Sequence, residues 1–381
     1  MCFVERLGLR SRTGNADAET VLVHGVDSAE VRVMLGCLET ASLRVVRNGR
    51  VVWASGPGGS DWISASWNRI VDDISLGTFS LALANEDCCP PPIHAVADNV
   101  EFVRNDVVEW SGQIVRFGED GEGITVEAAD LLGRYKKRIV RSDISLVGAE
   151  LTTQVDAIRT DADSVDPVPI IWTPLPTSIA TDLTINASDV RIAADALLEI
   201  AGNGLDITAV GRRVYYGDLS TLPLRDLRIT PQMIRGVPTL GEAGEGVATR
   251  VIATDGSGNV AVYPPGAPVV DARYGLEEVV IELTDANPTV LAQTAQAEWA
   301  ERNRVPRFLA FADGAWLDED FPYTLGELIP GRVLRVDVRG ECAAIEQTMR
   351  ISQITYRLTA GDEQVRIEAA PIGTIFEGES V

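Results

Sequence analysis

The chain has 381 residues, 56 acidic and 33 basic, and a formal net charge of −23. At about 150 residues per domain this length allows two or three domains, and 45% hydrophobic residues with a mean hydropathy of +0.07 exclude a wholly disordered chain. No apolar run reaches the ~18 residues of a membrane span, the opening Met1-Cys2-Phe3-Val4-Glu5-Arg6 lacks the charged-then-apolar order of a secretory leader, and so acidic a balance argues against a protein that holds DNA by neutralising phosphates.

Residues 1–145 read mainly as β. Val31 to Leu35 alternates loosely. Ser42-Leu43-Arg44-Val45-Val46 and Val51-Val52-Trp53 flank Arg47-Asn48-Gly49-Arg50, where Asn48-Gly49 suits a tight hairpin turn. Gly56-Pro57-Gly58-Gly59-Ser60 breaks the chain. Phe79 to Leu83, Glu101 to Val103, Val107 to Val115 and Ile124 to Ala128 are further strands, the last two separated by an acidic, glycine-rich turn at Glu119 to Gly123. Such a meander must curl or cover its edges.

The period changes over 146–235, which reads as a smaller α+β module. Glu150 to Ile158 predicts a short helix. Ser188 or Asp189 is placed to cap a second one, with Ala193, Leu197, Ile200 and Ala201 on one face. Gly202 and Gly204 stop it before a strand at Leu205-Asp206-Ile207-Thr208. Residues 236–381 return to β with one helix near 288–303: Asn287 as cap, Pro288 in the first turn, and Leu291, Ala295 and Trp299 as a core stripe. Ile351 to Leu358 and Gln364 to Ala369 flank a turn and predict a terminal hairpin. Trp53, Trp62 and Trp67 read as packing residues.

Motifs for chemistry are sparse. The cysteines, Cys2, Cys37, Cys88, Cys89 and Cys342, fit neither a disulfide scaffold nor a zinc pattern. His24 and His94 stand outside any ligand spacing, and phosphate-loop, Gly-x-Ser-x-Gly and zinc-helix motifs are absent. No catalytic residue, metal or cofactor is expected. Two acidic groups have a second reading, since glycosidases need only a pair of carboxylates: Asp72-Asp73, and Asp318-Glu319-Asp320 beside Trp316 and Phe321. The latter run lacks the ordered ligand spacing of a calcium loop. Asp313, Asp318, Glu319 and Asp320 are instead read as an acidic lumen or loop surface. The basic cluster Arg134, Lys136, Lys137 and Arg138 is read as a subunit or partner contact rather than a nucleic-acid site.

The order of several segments carries a resemblance. Trp67 to Ser75, Trp110-Ser111-Gly112-Gln113-Ile114-Val115, Ile124 to Leu132, and Arg138-Ile139-Val140 resemble minor tail proteins of long, non-contractile-tailed phages of actinobacteria. So do Val190 through Gly204-Leu205-Asp206-Ile207-Thr208 to Gly211-Arg212, Gly246 to Val251, and Tyr274-Gly275-Leu276-Glu277, so that the resemblance covers about 35–370. That family is similar to contractile-tail baseplate hubs and to the N-terminal hub part of tail-associated lysins. It implies a mainly β fold with α+β insertions, in which 1–145 and 236–381 are tube-like β-barrel domains and 146–235 is peripheral. The terminal hairpin is then free to complete an earlier domain.

The resemblance further implies a non-enzymatic homotrimeric hub at the virion tail tip, assembled in the bacterial host cytoplasm. Its partners would be the distal tail protein, the tape measure protein and other tail-tip or receptor-binding proteins. Genomic DNA would pass without specific binding, and no stable membrane insertion is implied. The sequence ends soon after Phe376 with no appended peptidase or muramidase, an expectation against a lysin role. The alternatives are a carbohydrate-binding or cell-wall-hydrolysing tail-tip protein and the hub of a secretion-type spike.

Overall fold

The structure, a computed structural model, describes residues 40–55, 62–82, 93–119, 123–167, 169–202, 204–222, 227–242, 244, 247–283, 288–303, 307–310, 315–318, 321–339, 344–359 and 362–371. The expectations at 31–35 and 56–60, the five cysteines, His24, Asn287, Asp313, Glu319 and Asp320 lie outside the described residues.

The first stretch forms β1 (Ala41–Arg47), β2 (Arg50–Ala54), β3 (Trp62–Ile70), β4 (Leu76–Ala82), β5 (Asn99–Arg104), β6 (Val107–Glu119) and β7 (Gly123–Asp130). Local chemistry sets the hairpins. Asn48 and Gly49 take positive φ of 49° and 75°, the two left-handed positions that a twisted two-residue hairpin needs. Asn105 and Asp106 do the same between β5 and β6, with φ of 47° and 67°. There the polar side chains tolerate a conformation usually left to glycine.

The middle stretch opens with a 3-10 turn, Leu131–Lys137. It continues as β8 (Ile144–Glu150), α1 (Leu151–Ala162), β9 (Ile171–Pro174), β10 (Ala180–Ile185), α2 (Ala193–Gly202), β11 (Asp206–Val210) and β12 (Arg213–Gly217). Ser188 and Asp189 do not cap α2. They lie in a separate 3-10 turn, Ala187–Asp189, that ends at left-handed Val190. Ala193 at the start of α2 donates instead to the Arg138 carbonyl.

The last stretch comprises β13 (Arg228–Ile229), β14 (Ile234–Arg235), β15 (Thr239–Glu242), β16 (Arg250–Thr254), β17 (Val260–Tyr263), β18 (Glu278–Glu282), α3 (Pro288–Arg302), β19 (Arg307–Ala310), β20 (Trp316–Leu317), β21 (Val333–Arg339), β22 (Ala344–Thr359) and β23 (Asp362–Pro371). In α3, Leu291 and Ala295 are fully buried and Trp299 packs beside them, donating its indole N–H to the Thr249 carbonyl at 3.0 Å.

Strands from the two ends of the chain share one sheet of 13 strands, ordered β15-β19-β23-β22-β3-β4-β7-β6-β5-β1-β2, with β13 and β21 branching from β22. The seam is antiparallel β22 against β3, from Gln353 opposite Ile70 to Thr359 opposite Ser64.

This overturns the expected tube-like β-barrels. Among the described residues no sheet closes: the large one runs as an open path from β15 to β2, and the others have two or three strands. Closure needs a ladder between the end strands at a consistent stagger. Here the ends are the four-residue β15 and the five-residue β2, with no such ladder. The sheet nevertheless bends sharply. β5 and β22 stand five places apart, about 24 Å in a flat sheet, yet the Phe102 and Tyr356 rings lie 5.0 Å apart. Register irregularities in β1, β3, β5, β6 and β22 mark bulges that permit such bending.

Three cores result. Inside the bent sheet, Trp67 stacks on Tyr356 at 4.8 Å, with Phe102, Trp110, Val336 and Ile354 around them. The middle stretch packs α1, α2 and the β11-β12-β9 sheet around Tyr135, Leu151, Ile158, Leu197 and Tyr216. A small third core lies between α3 and the β17-β16-β18 sheet.

Candidate functional site

The most built constellation of charged groups holds the α+β module on the bent sheet. It grows from the end of β3, where alternation puts Trp67, Arg69 and Val71 on the buried side. Arg69 is fully buried. Its Nη2 donates to the Glu109 carbonyl and, at 2.9 Å, to Glu109 Oε2. Its Nη1 donates to the carbonyls of Leu325 (2.9 Å) and Leu328 (3.3 Å), and the guanidinium lies 4.9 Å from the Trp67 ring centroid. Burial pushes this guanidinium below its ordinary value, and Glu109 opposes the shift. One side chain thus ties β3, β6 and the loop before β21 together.

Past β3, Asp72 takes a φ of 61° and turns its carboxylate toward the module. Its N–H donates to the Ile207 carbonyl and its Oδ1 accepts from the Ile207 N–H, both at 2.8 Å. Thr208 donates its hydroxyl to the Ile70 carbonyl at 3.0 Å. Arg350 of β22 pairs with Asp206 and lies 3.4 Å from Asp72 Oδ2, so one guanidinium serves two carboxylates. Burial is the largest influence on both acids and raises both, Asp206 to about 6; Arg350 opposes it, and Asp72 adds to the rise at Asp206.

A second clasp lies at the β11–β12 turn. Arg212 grips Glu101 with two bonds, 2.6 and 2.8 Å, and the Gly211 N–H donates to the Glu109 carbonyl at 3.1 Å. Gly211 has a φ of +58°, and a Cβ there would lie 2.4 Å from the Val108 carbonyl oxygen. Only glycine permits this approach. At the module's entrance, fully buried Asp130 accepts from the amides of Ser75, Leu132 and Gly133. Burial pushes it up to about 6 against those bonds.

The residues singled out in the sequence fall as follows. Arg134 donates to Asn99 Oδ1 at 2.7 Å, and Arg138 pairs with Asp163 (2.8 Å) and Asp166 (2.9 Å) inside the same chain. Lys136 and Lys137 are exposed. Asp318 stands 3.6 Å from Arg235. Of the carboxylates with a second reading, Asp72 is engaged as described, and Asp73 accepts from the Ile74 amide at 2.6 Å. Phe321 is buried against Tyr323. Among the described residues no group of three or more His, Cys, Asp or Glu is arranged to hold a metal ion. The junction's chemistry is that of positioning: each carboxylate in it accepts from an amide or a guanidinium.

Sequence reasoning missed Arg69, Glu101, Asp206, Arg212 and Arg350. Arg69 had a signal, an arginine on the apolar parity of an alternating strand. The others meet partners from distant segments and had none.

No protein-family model matches the chain, and no curated protein matches it. Solved structures do. A 43 kDa tail protein of prophage MuSo2 from Shewanella oneidensis is similar with a TM-score of 0.62 at 11% identity, over 87% of this chain and 97% of that one. A tail protein from Neisseria meningitidis gives a TM-score of 0.60 at 13% identity, over 87% and 97%. A chain of the Francisella PdpA–VgrG complex gives a TM-score of 0.52 at 8% identity, over 88% of this chain and 53% of that one. The chain has the fold of these tail proteins.

Proposed function

We propose that this chain is a structural, non-enzymatic subunit of a phage-type tail, acting as a hub at the tail tip. Three copies form a ring that joins the tail tube and distal tail protein to the tip, near the end of the tape measure protein. The observation that carries the reading is the extent of the fold likeness: it takes in nearly the whole of the Shewanella tail protein, 97% of it, rather than one shared module. The charge of −23 supports a further part of it. A ring lined by carboxylates lets DNA pass without the phosphate contacts that would hold it.

The test is imaging of assembled particles with a labelled chain, expecting three copies at the tip. Absence from the particle, or one or six copies, overturns the hub. A neutral or basic lumen in that ring overturns the role of the charge. A second reading, a component of a secretion-type spike, is favoured by the likeness to the PdpA–VgrG chain. Co-purification with tail-tube and tape-measure proteins rather than with secretion components separates the two.

A further inference from the structure

Among the described residues, two faces of this chain carry exposed aliphatic side chains beside unlike charges. The first is on the α+β module. Lys136 and Lys137, the chain's two lysines, end the 3-10 turn exposed and without an ion pair among the described residues, although Arg134 and Arg138 on either side are engaged. Next to them Ile139 bridges to Ile192, and both side chains are exposed. Two residues before Ile192 stands Val190, at a φ of 49° and 62% exposed. A β-branched residue seldom takes the left-handed conformation, and in the isolated chain the Val190 side chain has little packing to hold it there. Strain of this kind gathers where a surface meets a ligand or partner.

The second face is the side of the β17-β16-β18 sheet turned away from α3. Val251 and Ala253 point to the helix with Leu291 and Ala295, and alternation turns Ile252 the other way. Ile252 is the register partner of Val262 on one side and of Val280 on the other, so three β-branched residues make a row across the sheet. Val280 is 64% exposed, and Val260 beside the row is exposed too. Glu282 of the same face is exposed and lies against the turn that begins at Asp255; Glu278 is held by Arg250. Ile252 and Val262 in the row are half-buried, and the core beneath, Ala248, Val251, Ala253, Leu291 and Ala295, is small for a sheet with one partly exposed face.

We propose that neighbouring copies meet through these two faces, the basic aliphatic patch of one module on the acidic aliphatic sheet of the next. The occupant follows from charge. The lysine pair of one face complements Glu282 of the other, and both faces are on one chain. Contact between unlike faces is head-to-tail, the kind that closes into a ring. The proposal rests on the ring reading given above and assigns its residues.

The test uses the full chain, with copies of normal and heavy isotope mixed before zero-length carbodiimide crosslinking. Lysine side chains occur only at 136 and 137, so amine crosslinks there are unambiguous. The expected result is a trimer at low salt, with heavy-to-light crosslinks from Lys136 or Lys137 to Glu282 or Asp255. Lys136→Glu with Lys137→Glu weakens association at least tenfold, Glu282→Lys does likewise, and combining the reversals restores it in part. Val190→Gly provides a signature that a folding defect cannot imitate, a higher thermal midpoint with weaker association. A trimer indifferent to these reversals and lacking these crosslinks overturns the interface and leaves the ring standing. A chain that stays monomeric at every concentration overturns both.

Discussion

Replacing Arg69 with methionine tests whether the junction under the module is a dry, specifically bonded site. The substitution keeps much of the aliphatic stem against Trp67 but removes the guanidinium. It leaves the Glu109 carboxylate nearly buried without its cation and takes the guanidinium from the Leu328 carbonyl, while the carbonyls of Glu109 and Leu325 each lose one of two donors and keep the N–H of Gly211 and of Leu328. Breaking a buried pair from one side costs about 3–5 kcal/mol, because the remaining charge is uncompensated. At ~2–4 °C of midpoint per kcal/mol for larger domains, the melting temperature should fall by about 6–20 °C. Urea unfolding followed by tryptophan fluorescence reads the loss, and hydrogen exchange at β3 and β6 locates it. Adding Glu109→Met should recover part of the stability, because it removes the stranded charge. It should not recover all, because the Leu325 and Leu328 carbonyls still lack the bonds from the guanidinium. If Arg69→Met lies within about 0.5 kcal/mol of the native chain, the range of an ordinary surface substitution, then water reaches the site and the reasoning is refuted.

Asp206 predicts a pH dependence of definite sign. Its folded value of about 6 lies above the ordinary 3.8, so the folded chain binds the extra proton, and this group's contribution to stability grows as pH falls from 6 toward 4. Asp206→Asn should remove that part of the slope, roughly 3 kcal/mol across the window at ~1.4 kcal/mol per tenfold in proton affinity; an unchanged slope in pH-resolved urea titrations counts against it. Val190→Gly should stabilise the isolated chain by about 1 kcal/mol, by relieving a left-handed β-branched residue, and calorimetry that finds a loss would show the conformation is not strained. Gly211→Ala should cost about 1–3 kcal/mol, since its Cβ meets the Val108 carbonyl, and should raise exchange at β11 and β12 before the bent sheet is affected; uniform loosening would place the defect elsewhere.

Local chemistry made part of this fold legible. Asn48-Gly49 announces the first hairpin because few pairs of residues accept two left-handed positions in succession. The Leu291-Ala295-Trp299 stripe and the alternation from Ile351 to Leu358 announce α3 and β22 because burial on one side imposes its period. The union of β3 with β22 is not local: Ile70 and Gln353 have no neighbours in sequence that refer to each other. Closure was misjudged for a related reason. Whether a sheet closes depends on how its end strands, here β2 and β15, stand in space, and no pattern within either strand encodes that. The charged junction is illegible in the same way: Asp72 stands out only as half of the Asp72-Asp73 pair, and nothing near it in sequence refers to Asp206 or Arg350, which come from distant segments and each alone resemble an ordinary surface residue. The basic cluster was visible but internally divided, its arginines bonded within the chain and its lysines facing out.

The seam between β3 and β22 also sets a schedule for synthesis. At about 5–20 residues per second, some 15–60 s separate the emergence of Ile70 from that of its partner Gln353. Throughout that interval β3 can pair with β4 on one side only. Its other edge, flanked by the unfilled places around Trp67 and Arg69, is open to any strand that arrives first. The α+β module, whose core draws almost wholly on residues 129–216, is complete long before β22 exists. A nascent chain therefore carries a finished module on an unfinished sheet, and its exposure to mispairing ends only when the last hairpin leaves the ribosome.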